Sequence, residues 1–211
     1  MTGNDAFLVL GTTNAGKVRE LVDLLAPFAI ACRSLADVAG AVDVEESGST
    51  FAENAALKAS LQARALGRWV LAEDSGLVVP ALQGAPGVYS ARFSGPQPPG
   101  DTRSVDARNN ALLLDRLSGH SGGGRAAHYA CHAALADPSG RIMASAAGTC
   151  WGRIAAVGSG AGGFGYDPLF IVPEYHRTFG ELPPAVKAVI SHRGRALRAI
   201  IPALVRHLGA A

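Results

Sequence analysis

Apolar and polar positions along the chain switch between two periods, one of strands and one of helices. Ala6–Gly11 is a short apolar, β-prone run closed by Gly, Thr and Asn, and is predicted to be a buried strand. From Ala15 to Leu25 the apolar positions Val18, Leu21, Val22 and Leu25 recur at helical spacing, and Pro27 ends that helix. Ile30–Leu35 is a second candidate strand, and Ala41–Ser49 is acidic and irregular. Thr50 followed by Glu53 forms a capping box, in which each side chain satisfies a free backbone N–H of the first turn. The helix it opens runs to about Leu66, and Gly67 closes it. Trp69–Glu73 reads as a strand that ends at Asp74-Ser75-Gly76, with Leu77–Pro80 extending or resuming it.

Pro86–Gly100 is rich in Gly and Pro and reads as a loop able to order over a ligand. A polar helix is expected from Asp101 to Leu117, and a turn over His120–Gly124. Ala126–Leu135 and Arg141–Trp151 are candidate paired strands around Asp137-Pro-Ser-Gly140, a good hairpin turn. Gly158–Gly165 is very Gly-rich. Ser191–Leu208 is a final helix, with Pro202 expected to kink or divide it. Helices and strands alternate early and a hairpin follows, which gives an α/β fold with a mixed sheet. The 211 residues suit one large domain or two intimate lobes, with no internal repeat and no low-complexity linker.

Composition narrows the function classes. With 19 basic and 17 acidic residues and no basic block interleaved with aromatics, broad nucleic-acid binding is disfavoured. An anionic ligand must be gripped by placed residues. Cys32, Cys131 and Cys150 show no CxxC spacing and no even count, so a reduced, cytoplasmic setting is expected. Met1–Asp5 lacks a basic region followed by an apolar run, and no apolar stretch reaches about 18 residues, so neither a signal peptide nor a membrane span is expected. Only three of the basic residues are lysine: Lys17, Lys58 and Lys187. An Arg-favouring codon bias accounts for the Arg excess. It leaves open why three compact ammonium groups persist, each in a segment singled out on other grounds.

Gly11-Thr12-Thr13-Asn14-Ala15-Gly16-Lys17 joins a strand to a helix, a turn that aims backbone N–H groups and the helix dipole at an anion. Its spacing matches GxxxxGK of a P-loop, but Val18 stands where that motif needs Ser or Thr to hold Mg²⁺, so a P-loop kinase or GTPase is disfavoured. An ordinary strand-to-helix turn is the plain alternative. Asn54 and Lys58 are four apart and share a helix face, next to an apolar stripe at Leu57 and Leu61; an exposed amphipathic lysine is the plain alternative. Glu73-Asp74 would place two carboxylates at a strand end, with Glu45 and Glu46 upstream. Such oxygens suit a hard cation, although acidic turns are common. Gly162–Pro168 combines flexible backbone with Phe164, Tyr166 and Asp167; aromatic faces stack on nucleobases, but they also serve as buried anchors. His192 and Arg193 follow Ser191, a natural N-cap, and occupy the positive end of a helix, a mismatch that an oxygen-rich ligand would relieve.

Six segments together resemble the inosine/xanthosine triphosphate pyrophosphatase family: TTNAGKVREL (12–21), FAENAALKA (51–59), AEDSGL (72–77), GAPGVYSARFSG (84–95), GGFGYDPLF (162–170) and ISHRGRAL (190–197). The resemblance implies hydrolysis of dITP, ITP and XTP to the monophosphate and pyrophosphate with Mg²⁺, by a metal-activated water attacking the α-phosphorus. It implies a homodimer and one domain over 1–211: a long bent mixed β-sheet with flanking helices forming two lobes, the active site in the cleft between them. Thr12, Thr13, Asn14, Ala15, Gly16 and Lys17 would hold the triphosphate, with Lys58 near the phosphates. Glu45 and Asp74 would bind Mg²⁺, and Asp74 would accept the proton. Ser75, Phe164, Gly165, Tyr166, Asp167, Lys187, His192 and Arg193 match the remaining substrate positions. The chain departs from the family at Ala185 and Val186, where acidic residues often precede the lysine, and at Glu73, often Asp. Two rivals stand beside this reading: a pyrophosphatase for other modified nucleotides on a similar sheet, and a nucleotide-binding module without turnover.

Overall fold

A computed structural model describes residues 7–209, so Ala6 and the Met1–Asp5 segment lie outside the described residues. The strands are β1 (Leu8–Leu10), β2 (Cys32–Ser34), β3 (Val70–Val78), β4 (Ala126–Ala136), β5 (Ile142–Ile154), β6 (Phe170–Val172) and β7 (Arg177–Thr178). The helices are α1 (Ala15–Leu25), α2 (Phe51–Leu66), α3 (Val105–Arg116), α4 (Pro184–Ile190) and α5 (His192–Leu208). Among the described residues the strands form one sheet in the order β2-β1-β3-β4-β5-β6-β7. β1 pairs in parallel with β2 and β3, and β6 pairs antiparallel with β5 and β7, so the sheet is mixed as expected. None of the described helices is long and apolar enough to cross a membrane.

The chain divides into two compact units. Of the described residues, the first holds those up to Asp74, Cys131–Gly148 and those from Arg193 on; the second holds Ser75–Ala130 and Thr149–His192. The first unit has an apolar cluster on each face of its strands. One gathers Leu8, Leu10, Leu71, Cys131 and Leu135 with Leu21 and Leu25 of α1 and Leu197, Ile200 and Leu204 of α5. The other gathers Val9, Val70, Ala72 and Ala134 with Ala55, Ala59 and Ala63 of α2. This is the period-2 alternation of a strand buried on both sides. The second unit has its own core, in which Leu77, Leu113, Leu117, Tyr129, Phe170 and Phe179 pack together. Truncating any fully buried leucine of these clusters to Ala should cost about 2–5 kcal/mol.

The helix ends follow local chemistry. Asn14 accepts from the Lys17 N–H, Thr50 from the Glu53 N–H and Ser104 from the Ala107 N–H. Glu53 completes the capping box by accepting from the Ser49 N–H, one residue before the cap. Gly67 closes α2 in the left-handed conformation, φ +60°. Pro202 lies inside α5 without dividing it. α4, β6 and β7 are elements that periodicity does not signal, being only 7, 3 and 2 residues long.

Two sequence expectations need correction. Asp74-Ser75-Gly76 is not a turn: β3 runs unbroken from Val70 to Val78. The buried face of α2 is not the leucine stripe but Asn54, Ala55, Ala59, Gln62 and Ala63, and Leu61 is exposed. Small residues let α2 lie close to the strands, and Gln62 earns its buried place through paired bonds to the Val42 backbone.

Candidate active site

Glu73 and Asp74 sit in the middle of β3, where successive side chains point to opposite faces. That geometry separates two acids that look paired in the sequence, and each meets its own cations. Glu73, on the α1/α5 side, is completely buried. Lys17 Nζ lies 2.8 Å from its Oε1, and an Arg193 nitrogen lies 3.4 Å from the same oxygen. The Cys131 thiol donates to Oε2 at 3.2 Å. Arg193 is itself 2% exposed and also pairs with Glu20. Burial pushes the Glu73 pKa up, but Arg193 and Lys17 outweigh it and hold the carboxyl well below its ordinary range. Burial, reinforced by Glu73, pushes the Cys131 thiol well up.

Asp74, on the α2 side, meets Lys58 at 3.0 Å and accepts from Asn54 Nδ2 at 3.3 Å. Lys58 also pairs with Glu46 at 2.7 Å. One ammonium is therefore shared by two carboxylates, and full compensation goes to neither. Burial raises the Asp74 pKa, Lys58 and Lys17 lower it, Glu46 raises it again, and the net shift is upward. For Lys58 burial pulls downward, Asp74 and Glu46 reverse it, and the net shift is also upward. Asp74 is thus a carboxylate of raised proton affinity beside a lysine whose own proton affinity is also raised.

The turn before α1 lies in the same unit. Thr13, Asn14 and Ala15 are exposed, Thr12 is half-buried, and Gly16 is buried. Thr12 Oγ1 accepts from the Asn14 N–H, and Asn14 Oδ1 caps α1 by accepting from the Lys17 N–H. Gly11 has a packing reason: a Cβ there would sit 2.7 Å from that of Ala72. Val18 packs into the apolar cluster under α1. The acidic segment divides cleanly. Glu46 is half-buried and bonded to Lys58, whereas Glu45 is exposed.

The second unit gathers a different set. The Asp167 carboxylate accepts from the Phe164 N–H at 2.9 Å and pairs with Lys187 at 2.5 Å. Lys187 is buried, and its Nζ stands 4.8 Å from the Phe164 ring centre. A Cβ at Gly163, φ +73°, would strike Asp167 Oδ2, so glycine is required there. The loss of acids at Ala185 and Val186 therefore leaves Lys187 paired. Phe164 is half-buried, but Tyr166 belongs to the core and donates its hydroxyl to the Ser90 carbonyl at 2.8 Å. His192 is buried and stacks on Tyr129, 4.5 Å between ring centres and 8° between planes. Ser75, half-buried, begins this unit. His192 and Arg193, adjacent in sequence, thus belong to different units.

All three lysines carry buried or half-buried ion pairs. Sequence reading missed Glu20 and the thiol contact of Cys131. The available signal for Glu20 was its place three residues after Lys17, on the same face of α1.

Comparison with known proteins gives a consistent result. The Ham1 family pattern matches residues 8–203. A dITP/XTP pyrophosphatase of Rhodopirellula baltica is 53% identical over 199 residues, covering 94% of this chain and 93% of the relative. One from Exiguobacterium is 50% identical over 191 residues, 90% and 93% of the two chains. Among solved structures, a HAM1 protein from Coxiella burnetii superposes with a TM-score of 0.82 at 36% identity, over 95% of this chain and 99% of that one. A dITP/XTP pyrophosphatase from Mycobacterium abscessus gives 0.71 at 40% identity, over 92% and 98%.

Proposed function

This chain belongs to the Ham1 family, and on that footing we propose that it hydrolyses dITP, ITP and XTP to the monophosphate and pyrophosphate, clearing non-standard purine nucleotides. The observation that carries the chemistry is the pair of opposed clusters on β3: Lys17 with buried Glu73, and Lys58 between Glu46 and Asp74. A binding module without turnover has no need of a carboxylate whose proton affinity is raised beside a charged lysine.

In this reading the exposed residues Thr13, Asn14 and Ala15, with the amides at the start of α1, receive the triphosphate. Lys17 and Lys58 neutralise charge that builds on the phosphate oxygens. Asp74 takes a proton from the attacking water, an oxygen–phosphorus bond forms at the α-phosphorus, and the bond to pyrophosphate breaks. The donor set fits Mg²⁺. Two carboxylates, Glu46 and Asp74, already converge on one cation, Lys58 Nζ, and Mg²⁺ takes one or two carboxylates plus substrate phosphates. Among the described residues no group of three or more His, Cys, Asp or Glu converges in this way. When bound, the ion would lower the pKa of water and offset negative charge on the phosphates. Glu46 and Asp74 are the residues assigned to hold it, with exposed Glu45 the alternative to Glu46.

Base selection is assigned to the second unit. The Phe164 ring offers a stacking face, and Lys187 and His192 offer donors to a purine 6-oxo group. A 6-amino group would set donor against donor and leave buried groups unpaired, a mismatch able to discriminate by several orders of magnitude. Arg193, held by Glu20 and Glu73, supports the phosphate side. A homodimer and a cytoplasmic setting complete the proposal. Incubation with dITP, XTP, dUTP and dGTP plus Mg²⁺ tests it. Pyrophosphate from dITP and XTP is the expected product; orthophosphate, or a preference for dUTP, would overturn it.

A further inference from the structure

The Phe164–Asp167 turn is held by more than its own bonds. Gly165, at its centre, adopts φ +60°, a conformation that favours glycine. Both of its backbone polar groups are taken by side chains of α3. The Gly165 N–H donates to Asp106 Oδ2 at 2.8 Å. The Gly165 carbonyl accepts from Asn110 Nδ2 at 3.0 Å. Asp106 and Asn110 are four residues apart, one helical turn, and therefore share a face. The two residues grip one glycine from its donor and acceptor sides. The Asn110 amide has only one workable orientation, since a flipped amide would set oxygen against the Gly165 oxygen. Its own Oδ1 is buried without a hydrogen-bond partner, a cost that the Gly165 bond offsets.

The clamp sits beside the groups assigned to the base. Phe164 precedes Gly165 and is fixed on its other side by the bond from its N–H to Asp167, which in turn holds Lys187. Tyr166 follows and is anchored through Ser90. The Asp106 charge reaches Tyr166 as well: burial first, and then Asp106, push the phenol pKa upward. Helix α3 is itself fixed to the second unit, with Asn109 donating to the carbonyls of Ser90 and Ala91 and Leu113 buried in the core. The rigid body that sets the position of Gly165 is thus a well-packed helix rather than a loop.

We propose that Asp106 and Asn110 are positioning residues for nucleobase recognition, fixing the Gly165 peptide and through it the Phe164 ring and the Lys187–Asp167 pair. The inference rests on the reading that this turn receives the base. Both act through the Gly165 peptide, so their loss should weaken ground-state fit and base choice more than chemistry.

The test measures KM and kcat for dITP and dATP in Asp106→Ala, Asp106→Asn, Asn110→Ala, Asn110→Asp and Phe164→Ala, with folding checked by circular dichroism. Asp106→Ala and Asn110→Ala should each raise KM for dITP roughly three- to tenfold, the size of one lost hydrogen bond, and shrink the dITP-to-dATP preference. Their kcat should change by less than about threefold. Asp106→Asn keeps an acceptor for the Gly165 N–H and should stay near the parent. Asn110→Asp removes the donor and should behave like Asn110→Ala. These two isosteric changes carry the test if an alanine variant fails to fold. Parent-like KM and preference in folded Asn110→Ala and Asn110→Asp would overturn the inference, as would a fall in kcat with KM unchanged. If Phe164→Ala also leaves KM and preference unchanged, the base-binding reading falls with it. If Phe164→Ala alone disturbs them, only the clamp is refuted.

Discussion

Replacing Glu73 by Gln removes one charge from a fully buried side chain and leaves the shape nearly intact. Arg193, 2% exposed, would lose its Glu73 partner and keep Glu20. Lys17, with a side chain 16% exposed, would lose a partner at 2.8 Å but can turn toward solvent. Removing one member of a buried ion pair costs about 3–5 kcal/mol, and the remaining partner and the solvent route place this case near the lower end, about 3 kcal/mol. For a chain of this size each kcal/mol moves Tm by about 2–4 °C, so Tm should fall by about 6–12 °C at pH 7. The pH dependence gives a second check. The folded Glu73 pKa is depressed, so the unfolded chain takes up its proton first as pH falls below about 4.3. The stability advantage over Glu73→Gln is therefore complete above that pH and shrinks below it, toward the folded value. Thermal unfolding followed by circular dichroism at pH 7 and across the acid range measures both. A loss under about 1 kcal/mol at pH 7, or an advantage that grows on acidification, would refute the argument that the cluster is held by opposite charges.

Asp74→Asn should keep the Asn54 contact and the fold while lowering kcat by about 10²–10⁴, the usual worth of a positioned base; near-normal turnover by the folded variant would remove Asp74 from the mechanism. Lys58→Arg keeps the charge but cannot place a compact ammonium between Glu46 and Asp74, so most activity should be lost in a steady-state assay; a mild effect would mean that charge alone suffices. The His128 ring packs at a tilt of 40° against Trp151, 4.4 Å between ring centres, and burial lowers its pKa. In a Trp69→Phe background, Trp151 emission should be quenched on acidification with a midpoint below about 6.5, and a midpoint above it would contradict the burial argument.

The local signals in the sequence were read correctly because their causes are local. The Thr50–Glu53 box, the Gly67 cap and the Asp137–Gly140 turn each depend on residues within a few positions. The continuation of β3 past Glu73, through Asp74 to Val78, is hidden for the opposite reason. Two adjacent acids look like a turn unless Lys17, Lys58 and Arg193 are known to converge on them, and those partners are 56, 16 and 120 positions away. The α2 face misled because leucines outrank alanines in any pattern, yet closeness to the sheet is what buried the alanines. Glu46 and Glu45 could not be separated by type, only by which side chain reaches Lys58. The family segments supplied what periodicity could not, since their order along the chain carries three-dimensional information that no single segment holds.

The central claim is that water attacks the α-phosphorus and pyrophosphate leaves. Hydrolysis of dITP in oxygen-18 water, with Mg²⁺ and mass analysis of both products, tests it most directly. The account predicts one heavy oxygen in dIMP and none in pyrophosphate. Label in pyrophosphate with unlabelled dIMP, or release of orthophosphate and dIDP, would contradict it.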